Sequence, residues 1–331
     1  MRTQDSTDLC FPHLYNNSCK TPTSPWTEVV LVQIILSFIS LITVVLNLLV
    51  IISVSHFRKL HTPTNILLLS LAVSDLLVGL ISMPGEIYRS TSCWFLGDKI
   101  CLIYNYLCFT ITSASVGDMV LISIDRYVAI CDPLRYSTRV TERRVKVCVC
   151  LCWLCSAVYS ILFIKHDLIP MNKDNSCYGE CVTVVDFITG TFDVVLTFIA
   201  SVTVIIVLYV RVFVVAVSQA RAMRSHVASV TLQLSGPTAT KSELKAARTL
   251  GVLVVLFLIS FCPFYCVYLA GADSFSSSSV LAADYLSYFN SCLNPVIYAL
   301  FYPWFRKTVK LVVTLQILKP GSCEAPVQKI N

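Results

Sequence analysis

Charged side chains are scarce in this sequence. Only 13% of its 331 residues are Asp, Glu, Lys or Arg, whereas a soluble domain carries about 25%. The net charge of +6 is spread thinly, and no basic run forms a patch that could follow nucleic-acid phosphates. Glycine is also rare, with 10 residues and no phosphate-binding loop. These absences argue against a nucleotide-dependent enzyme and against a nucleic-acid partner.

Long apolar runs are present instead. Apolar residues make up 56% of the chain, and a membrane-spanning helix needs about 20 mainly apolar residues in succession. The sequence therefore predicts an all-α membrane protein, with seven transmembrane helices at residues 29–55, 63–88, 98–131, 144–165, 183–219, 246–271 and 280–302. A transporter or channel is the weaker alternative, because no internal repeat of the transporter type is visible.

A short amphipathic segment follows the seventh run. Between Pro303 and Leu315, apolar side chains occupy one side of a helix, and Arg306, Lys307 and Lys310 occupy the other. This pattern predicts a helix that lies on the membrane surface, so membrane lipids are expected partners.

Basic residues predict the orientation in the membrane. Lys and Arg concentrate in the first, third and fifth connections, at Arg58, Lys59, Arg135, Arg139, Arg143, Arg144, Lys146, Arg221, Arg224 and Lys241. Positive loops stay in the cytoplasm. We therefore expect a multi-pass plasma-membrane protein with an extracellular N-terminus at 1–28, a transmembrane domain at 29–302, a surface helix at 303–315 and a cytoplasmic tail at 316–331. Asn16, in an Asn-Asn-Ser sequon, is then an expected glycosylation site.

Cysteine is plentiful, with 16 residues, and most of these lie in apolar runs. Such thiols behave as small buried apolar groups. Five cysteines lie in or beside polar segments and are candidates for disulfides on an oxidising face, namely Cys10, Cys19, Cys101, Cys177 and Cys181.

An ordered set of motifs runs through the seven predicted spans. The set comprises Asn47 in VLNLLV, Asp75 in LSLAVSDLLV, Asp125, Arg126 and Tyr127 in SIDRYVAICDPL, Trp153, Tyr209, Phe261 and Pro263 in FCPF, and Asn294, Pro295 and Tyr298 in NPVIY. In these residues the chain resembles the rhodopsin-like G-protein-coupled receptors. The stretches VAICDPLRY, KSELKAARTLGVLV and YFNSCLNPVIYALFYPWFRK further resemble the trace amine-associated receptors, of a fish type.

The resemblance implies a receptor with no catalytic residues and no obligatory cofactor. Its expected partners are a small amine and a heterotrimeric G protein with a stimulatory or olfactory α subunit, which raises cAMP. Activation and G-protein coupling are expected to involve Asp125, Arg126, Tyr127, Tyr209, Glu243, Asn294, Pro295 and Tyr298. An ion pair between Arg126 and Glu243 would hold the resting state. Alternatively, Glu243 is solvated near Lys241 and Lys245.

The resemblance also implies an ion site and two disulfides. Asp75, Asn47 and Asn294 would hold a sodium ion with waters, or would simply clamp three helices together. Cys101 is expected to bond to Cys181. A second bridge is expected from the N-terminus to Cys177, with Cys10 as the favoured partner and Cys19 as the alternative.

One position departs from the amine-receptor pattern. The third-span Asp that pairs with the ligand ammonium in that family is replaced by Cys108, and a thiol is largely neutral at pH 7. However, Asp193 lies in the fifth span, where a charge is costly and needs a role. Thr197 and Ser201 continue the same helix face. We expect Asp193 to be a relocated ammonium counter-ion. The alternatives are a hydrogen bond from Asp193 to a neighbouring span and, since Cys108 is neutral, a ligand that is not an amine.

Two more acids and several aromatic residues complete the predicted pocket. Glu86 and Asp284 lie near the outer ends of their spans, where either could hold a second ammonium. Otherwise Glu86 pairs with Arg89 and Asp284 is solvated. The resemblance places Phe109, Thr112, Phe261, Phe264, Tyr265 and Tyr288 on the pocket wall, where aromatic faces attract alkylammonium groups, although plain packing is the alternative. Asp118 is expected to bond between spans, near Trp153.

Overall fold

The computed structural model describes residues 9–11, 18–19, 26–164, 179–181, 187–229, 238–270, 277–320 and 322–324. Backbone alone is described at 26–29, 32, 187, 219–229, 238–250, 253, 268, 270, 277–278 and 281. Its longer elements are all helices: α1 (Trp26–His56), α2 (Pro63–Leu77), α3 (Met83–Thr91), α4 (Asp98–Cys131), α5 (Pro133–Arg139), α6 (Glu142–Phe163), α7 (Phe187–Asp193), α8 (Ser201–Ser229), α9 (Thr238–Ala270), α10 (Ser277–Phe301) and α11 (Pro303–Val313). The predicted all-α bundle is confirmed. Among the described residues, five stretches are long and apolar enough to cross a membrane: Gln33–His56, Pro63–Thr91, Asp98–Cys131, Glu142–Phe163 and Ile188–Ser218.

The second span begins and bends at recognisable residues. Thr62 caps α2 by accepting a hydrogen bond from the backbone N–H of Asn65, and Pro63 occupies the first turn, where its missing N–H costs nothing. A π-helical turn at Val78–Ser82 then joins α2 to α3. This turn adds backbone between the two helices and rotates α3 relative to α2.

The fifth span contains a similar interruption. Helix α7 ends at Asp193, a π-helical stretch covers Val194–Ala200, and α8 begins at Ser201. Asp193 therefore lies at the junction between a regular helix and a widened one. Because π-helical turns change the rotation of the chain, the direction of Asp193 does not follow from a 3.6-residue period.

The bundle has an apolar core and an apolar surface. Phe57, Leu71, Phe257 and Tyr298 are almost fully buried at its centre, while Leu154 is 60% exposed. Exposed apolar side chains are expected where the solvent is lipid. A helix, α11, is present where the surface helix was predicted, and its Trp304 and Phe305 are buried; its position on the membrane surface stays a prediction.

Two disulfides that join described residues define what we call the disulfide end of the bundle. The opposite end, which carries α11, is the tail end. Cys101 bonds to Cys181, as the resemblance implied. The predicted Cys10–Cys177 bond is wrong, because Cys10 bonds to Cys93. Cys19 is also disulfide-bonded, and Cys177 lies outside the described residues.

Packing at the disulfide end explains the choice of Cys93. The backbone N–H of Trp94 donates to the Gly179 carbonyl over 2.8 Å, and a side chain on Gly179 would meet the Cys10 Cβ at 2.7 Å. The α3–α4 loop, the N-terminal segment and residues 179–181 thus meet, with a Cys10–Cys93 Cα separation of 5.7 Å, which suits a disulfide. The polar setting of Cys93 in TSCWFLGD could have signalled this pairing.

Candidate functional site

Asp193 is half-buried at the centre of a hydrogen-bond cluster near the disulfide end. The Tyr159 hydroxyl of α6 donates to Asp193 Oδ1 over 2.6 Å. Thr197 donates to the Asp193 backbone carbonyl over 2.7 Å and lies 3.0 Å from the Tyr265 hydroxyl of α9. Within the described part of the chain, no Lys or Arg forms an ion pair with this carboxylate. We call Tyr159, Asp193, Thr197 and Tyr265 the Asp193 wall.

The hydrogen bond from Tyr159 is the interhelical bond anticipated as the alternative role of Asp193. This bond occupies only one of the acceptor sites of the carboxylate, since its two oxygens offer about four lone-pair sites. Asp193 therefore keeps capacity for a further donor. Sequence reasoning missed Tyr159, because its approach to Asp193 depends on how the π-helical stretch rotates α7.

Aromatic rings surround the Asp193 wall. Phe198 stacks on Tyr265 with centroids 4.2 Å apart, and Phe264 meets Tyr265 edge-on at 5.2 Å. On the opposite side, Phe109 of α4 lies 4.4 Å from Phe163, whose ring is 6.2 Å from that of Tyr159. Phe109, Phe264 and Tyr265, all predicted from the resemblance, thus lie at or near this wall.

Two other predicted aromatic-wall positions lie elsewhere. Phe261 packs against Phe257 at 4.7 Å and belongs to the buried core. Tyr288 lies near Glu86 and Cys108 and lines a cavity of about 200 Å³ with Met83, Ile87 and Tyr285. Thr112 is partly exposed on α4.

A second group of polar side chains surrounds Cys108. Tyr104 donates to the Ser82 carbonyl over 3.0 Å, and the Cys108 thiol is within hydrogen-bonding reach of Ser82 and Tyr104. Glu86 is only 3% exposed. Its carboxylate lies 2.7 Å from the Arg89 guanidinium. The structure thus pairs Glu86 with Arg89. This was the predicted alternative to a role of Glu86 as a second ammonium site.

Arg89 also ties this group to its neighbours. It donates to the Cys181 carbonyl over 3.4 Å. Asp284 of α10 lies close enough to Glu86 and Arg89 for the charges to interact, and it forms no ion pair with a described residue. Ser90 follows Arg89 in the chain and Tyr285 follows Asp284, and the hydroxyls of Ser90 and Tyr285 are 2.9 Å apart. We call Glu86, Arg89, Cys108 and Asp284 the Cys108 wall.

A buried polar cluster lies deeper in the bundle. Asn294 donates to Asp75 Oδ2 over 2.8 Å. Asn47 donates to the backbone carbonyls of Ser291 and Thr43 over 3.1 and 3.0 Å, not to Asp75. Asp75 Oδ1 and Asn47 Oδ1 are buried without a hydrogen-bond partner. These two oxygens could accept water or a cation, so the residues present suit the predicted ion.

Asp118 forms the interhelical bond that was expected of it. Ser70 donates to Asp118 Oδ2 over 2.7 Å, and the Trp153 indole N–H donates to Ser70 over 3.0 Å. The three residues join α2, α4 and α6. Ser70, the bridge between the other two, was not anticipated.

At the tail end, Arg126 pairs with its own neighbour. Its Nε donates to Asp125 over 2.9 Å. Thr64 and Tyr136 donate to the same carboxylate over 2.9 and 2.8 Å. Burial raises the pKa of the Tyr136 hydroxyl, so it remains a donor at neutral pH. The Glu243 side chain lies outside the described residues, and the Arg126–Glu243 pair stays a prediction.

The other tail-end residues contact neighbouring helices. Tyr209 of α8 packs so closely on α9 that a Cβ on Gly251 would lie 2.3 Å from its hydroxyl. Tyr127 packs against the Ile130–Val212–Ala216 cluster. Pro295 lies inside α10, and Tyr298 is fully buried. The tail end thus joins the third, fifth and sixth spans by direct packing.

Comparison with known proteins agrees with this arrangement. Residues 46–298 match the family "7 transmembrane receptor (rhodopsin family)". The chain is 38% identical to trace amine-associated receptor 13c of Danio rerio, over 97% of this chain and 96% of that one. It is 36% identical to trace amine-associated receptor 8b of Mus musculus, over 96% of each chain, and 35% identical to receptor 1 of the same species, over 90% and 94%.

A match of this extent also fixes what kind of protein this is. The family consists of multi-pass membrane receptors and not of enzymes, which confirms the expectation of a receptor. The chain belongs to the rhodopsin family of seven-transmembrane receptors, and within it to the trace amine-associated receptors.

Proposed function

We propose that this receptor senses amines and that Asp193 is the counter-ion of the ligand ammonium. The observation that carries the proposal is a half-buried carboxylate in a membrane span whose described partners are all neutral. A carboxylate in such a medium gains from a cationic partner, because removal from water strengthens the attraction. The names of the relatives support an amine as the ligand.

The surroundings of Asp193 suit an alkylammonium group. Tyr265, which is stacked on Phe198, lies next to Thr197, and aromatic rings attract cations. The Tyr159 hydroxyl would orient the carboxylate while leaving the second oxygen for the ligand. The neutral Cys108 carries no competing charge on the third span.

Ligand binding would act by shifting an inactive–active equilibrium. We expect three elements to rearrange: the Arg126–Asp125 pair, the Tyr209–Gly251 contact, and the helix segments around the prolines in α9 and α10. Prolines in spans remove helix hydrogen bonds and permit such bending. The partner is a stimulatory or olfactory G protein, with cAMP as the output and odorant amines as the signal.

Orientation and modification follow from the same proposal. The disulfide end faces outward and the tail end faces the cytoplasm at the plasma membrane, which agrees with the basic residues near α5 and α11. Asn16, outside the described residues, would then be glycosylated. Asp75 and Asn294, with the free oxygen of Asn47, would hold an allosteric sodium ion.

The experiment is a cAMP assay in cells that express Asp193→Asn, screened with alkylamines. Asn keeps the shape and can still accept from Tyr159, but it lacks the charge. We expect the amine response to fall at least about a hundredfold, since about 3 kcal/mol is typical for an uncompensated buried ion pair. Surface labelling should remain normal. A normal amine response in this variant would disprove the counter-ion role.

A second candidate function rests on Cys108. Because the family's usual third-span carboxylate is absent, a neutral ligand that only accepts or donates hydrogen bonds is the competing hypothesis. A screen in which neutral alcohols or esters activate the receptor, while amines of the same shape do not, would favour it.

A further inference from the structure

The Cys108 wall carries an internal cation. Arg89 pairs with Glu86 over 2.7 Å, and the exposed fractions of the two side chains are 30% and 4%. The acid is therefore enclosed, whereas part of the cation remains accessible. A group approaching this wall meets the guanidinium before it meets the Glu86 carboxylate.

The guanidinium is held in place from two sides. Besides Glu86, it contacts the Cys181 carbonyl, and Cys181 is fixed to α4 by its disulfide with Cys101. The Ser90–Tyr285 hydrogen bond holds α3 against α10 one residue further on. Arg89 thus has little freedom to move away when a second cation approaches.

Three charges on this wall give a net charge of −1, from Glu86, Arg89 and Asp284. Asp193, which belongs to the other wall, adds a separate negative charge. A ligand with one ammonium needs only Asp193. Phe109, which follows Cys108 on α4, packs on Phe163 and through it reaches Tyr159 beside Asp193, so a ligand with two ammonium groups can place its second one near the Cys108 wall. Arg89 repels that second group, and Asp284 attracts it.

We propose that Arg89 is a specificity-determining residue, whose tethered cation sets the preference of the receptor between monoamines and diamines. The proposal rests on the proposed function, because it needs the first ammonium at Asp193. It makes Glu86 unavailable as the second ammonium site, since Arg89 already occupies it.

The test compares hexylamine with hexamethylenediamine in the cAMP assay and reports the ratio of their potencies. Arg89→Gln should shift the ratio towards the diamine on the order of tenfold, the size expected for a unit charge about 10 Å away at an effective dielectric of about 20. Arg89→Lys keeps the charge and should keep the ratio within about threefold. An unchanged ratio in Arg89→Gln, or an equal shift in Arg89→Lys, overturns the proposal.

Two further variants guard against misfolding. The double variant Glu86→Gln, Arg89→Gln removes both charges of the buried pair and leaves the net charge of the wall at −1. It should fold more readily than a variant that removes one partner, because no buried charge is left unpaired. Its ratio should stay near that of the wild type. Asp284→Asn raises the net charge to zero and should shift the ratio towards the monoamine, again on the order of tenfold. If the double variant shifts as far as Arg89→Gln does, or Asp284→Asn has no effect, the charge account is wrong.

Failure of the proposed function has a different signature. If Asp193→Asn responds to both amines as the wild type does, Asp193 is not the counter-ion, whatever the Arg89 ratio shows. If neither amine activates the wild type, the amine function fails and the specificity role falls with it.

Discussion

The Asp193 wall contains one carboxylate and the Cys108 wall contains two, and the partners of Asp193 differ from those of Glu86. Glu86 is enclosed and paired with Arg89. Asp193 is half-buried and meets only neutral donors among the described residues. An acid paired with an internal cation contributes to the fold, whereas an acid left with neutral partners can take its cation from a ligand. The difference shows that the presence of a carboxylate in a span does not by itself mark a ligand site.

The largest expected contrast is in stability. Glu86→Ala should destabilise the receptor by up to about 3 kcal/mol, because it leaves Arg89 without its partner in a partly buried site. Asp193→Ala should cost about 1.5 kcal/mol, since it removes one hydrogen bond from the neutral Tyr159 hydroxyl to a charged group at a half-buried site. Surface labelling and thermal inactivation in detergent measure both. Equal losses would show that Asp193 is as structural as Glu86.

A smaller effect is expected from the donor to Asp193. Tyr159→Phe removes the 2.6 Å hydrogen bond and should weaken the amine response about tenfold, as hydrogen bonds to charged groups contribute about 1.5 kcal/mol. Tyr285→Phe is the matched control, because it removes a hydroxyl of the same kind that bonds to Ser90 near the other wall. A larger loss of hexylamine potency in the control than in Tyr159→Phe would contradict the assignment of the ammonium to Asp193.

The smallest effect is expected from Thr197. Its hydroxyl donates its single proton to the Asp193 backbone carbonyl and lies 3.0 Å from the Tyr265 hydroxyl, so its main hydrogen bond is to the backbone. Thr197→Val should therefore reduce amine potency only about two- to threefold, which corresponds to roughly half a kcal/mol. Dose–response curves for hexylamine measure the change. A loss as large as that in Tyr159→Phe would mean that Thr197 itself contacts the ligand.

The sequence predicted much of the site, but not its partners. Asp193 stood out because a charge in a span requires a role, and Asp118 was correctly expected near Trp153. Tyr159 was not found, since no sequence spacing relates a tyrosine in the fourth span to an acid in the fifth. For Glu86, the nearby Arg89 was one of two options, and only the fold shows that the two side chains meet.

The disulfides show the same limit. The Cys101–Cys181 bond followed from the resemblance and is present. The predicted Cys10–Cys177 bond is wrong, because Cys10 bonds to Cys93 in the α3–α4 loop. Which cysteines pair depends on which loops pack together, and the chain order does not reveal this when the bridge closes a separation of 83 residues.

By itself, the sequence determined that this protein is a bundle of membrane-spanning helices and a receptor of the rhodopsin family. The length of an apolar run is set by the thickness of the bilayer, and motif residues can be recognised without knowing their neighbours. Only the tertiary structure decided which acid is paired with a cation of the protein itself, namely Glu86 with Arg89. Ion pairs and hydrogen bonds need contact within about 3 Å, and the π-helical turns before α3 and after Asp193 set those contacts.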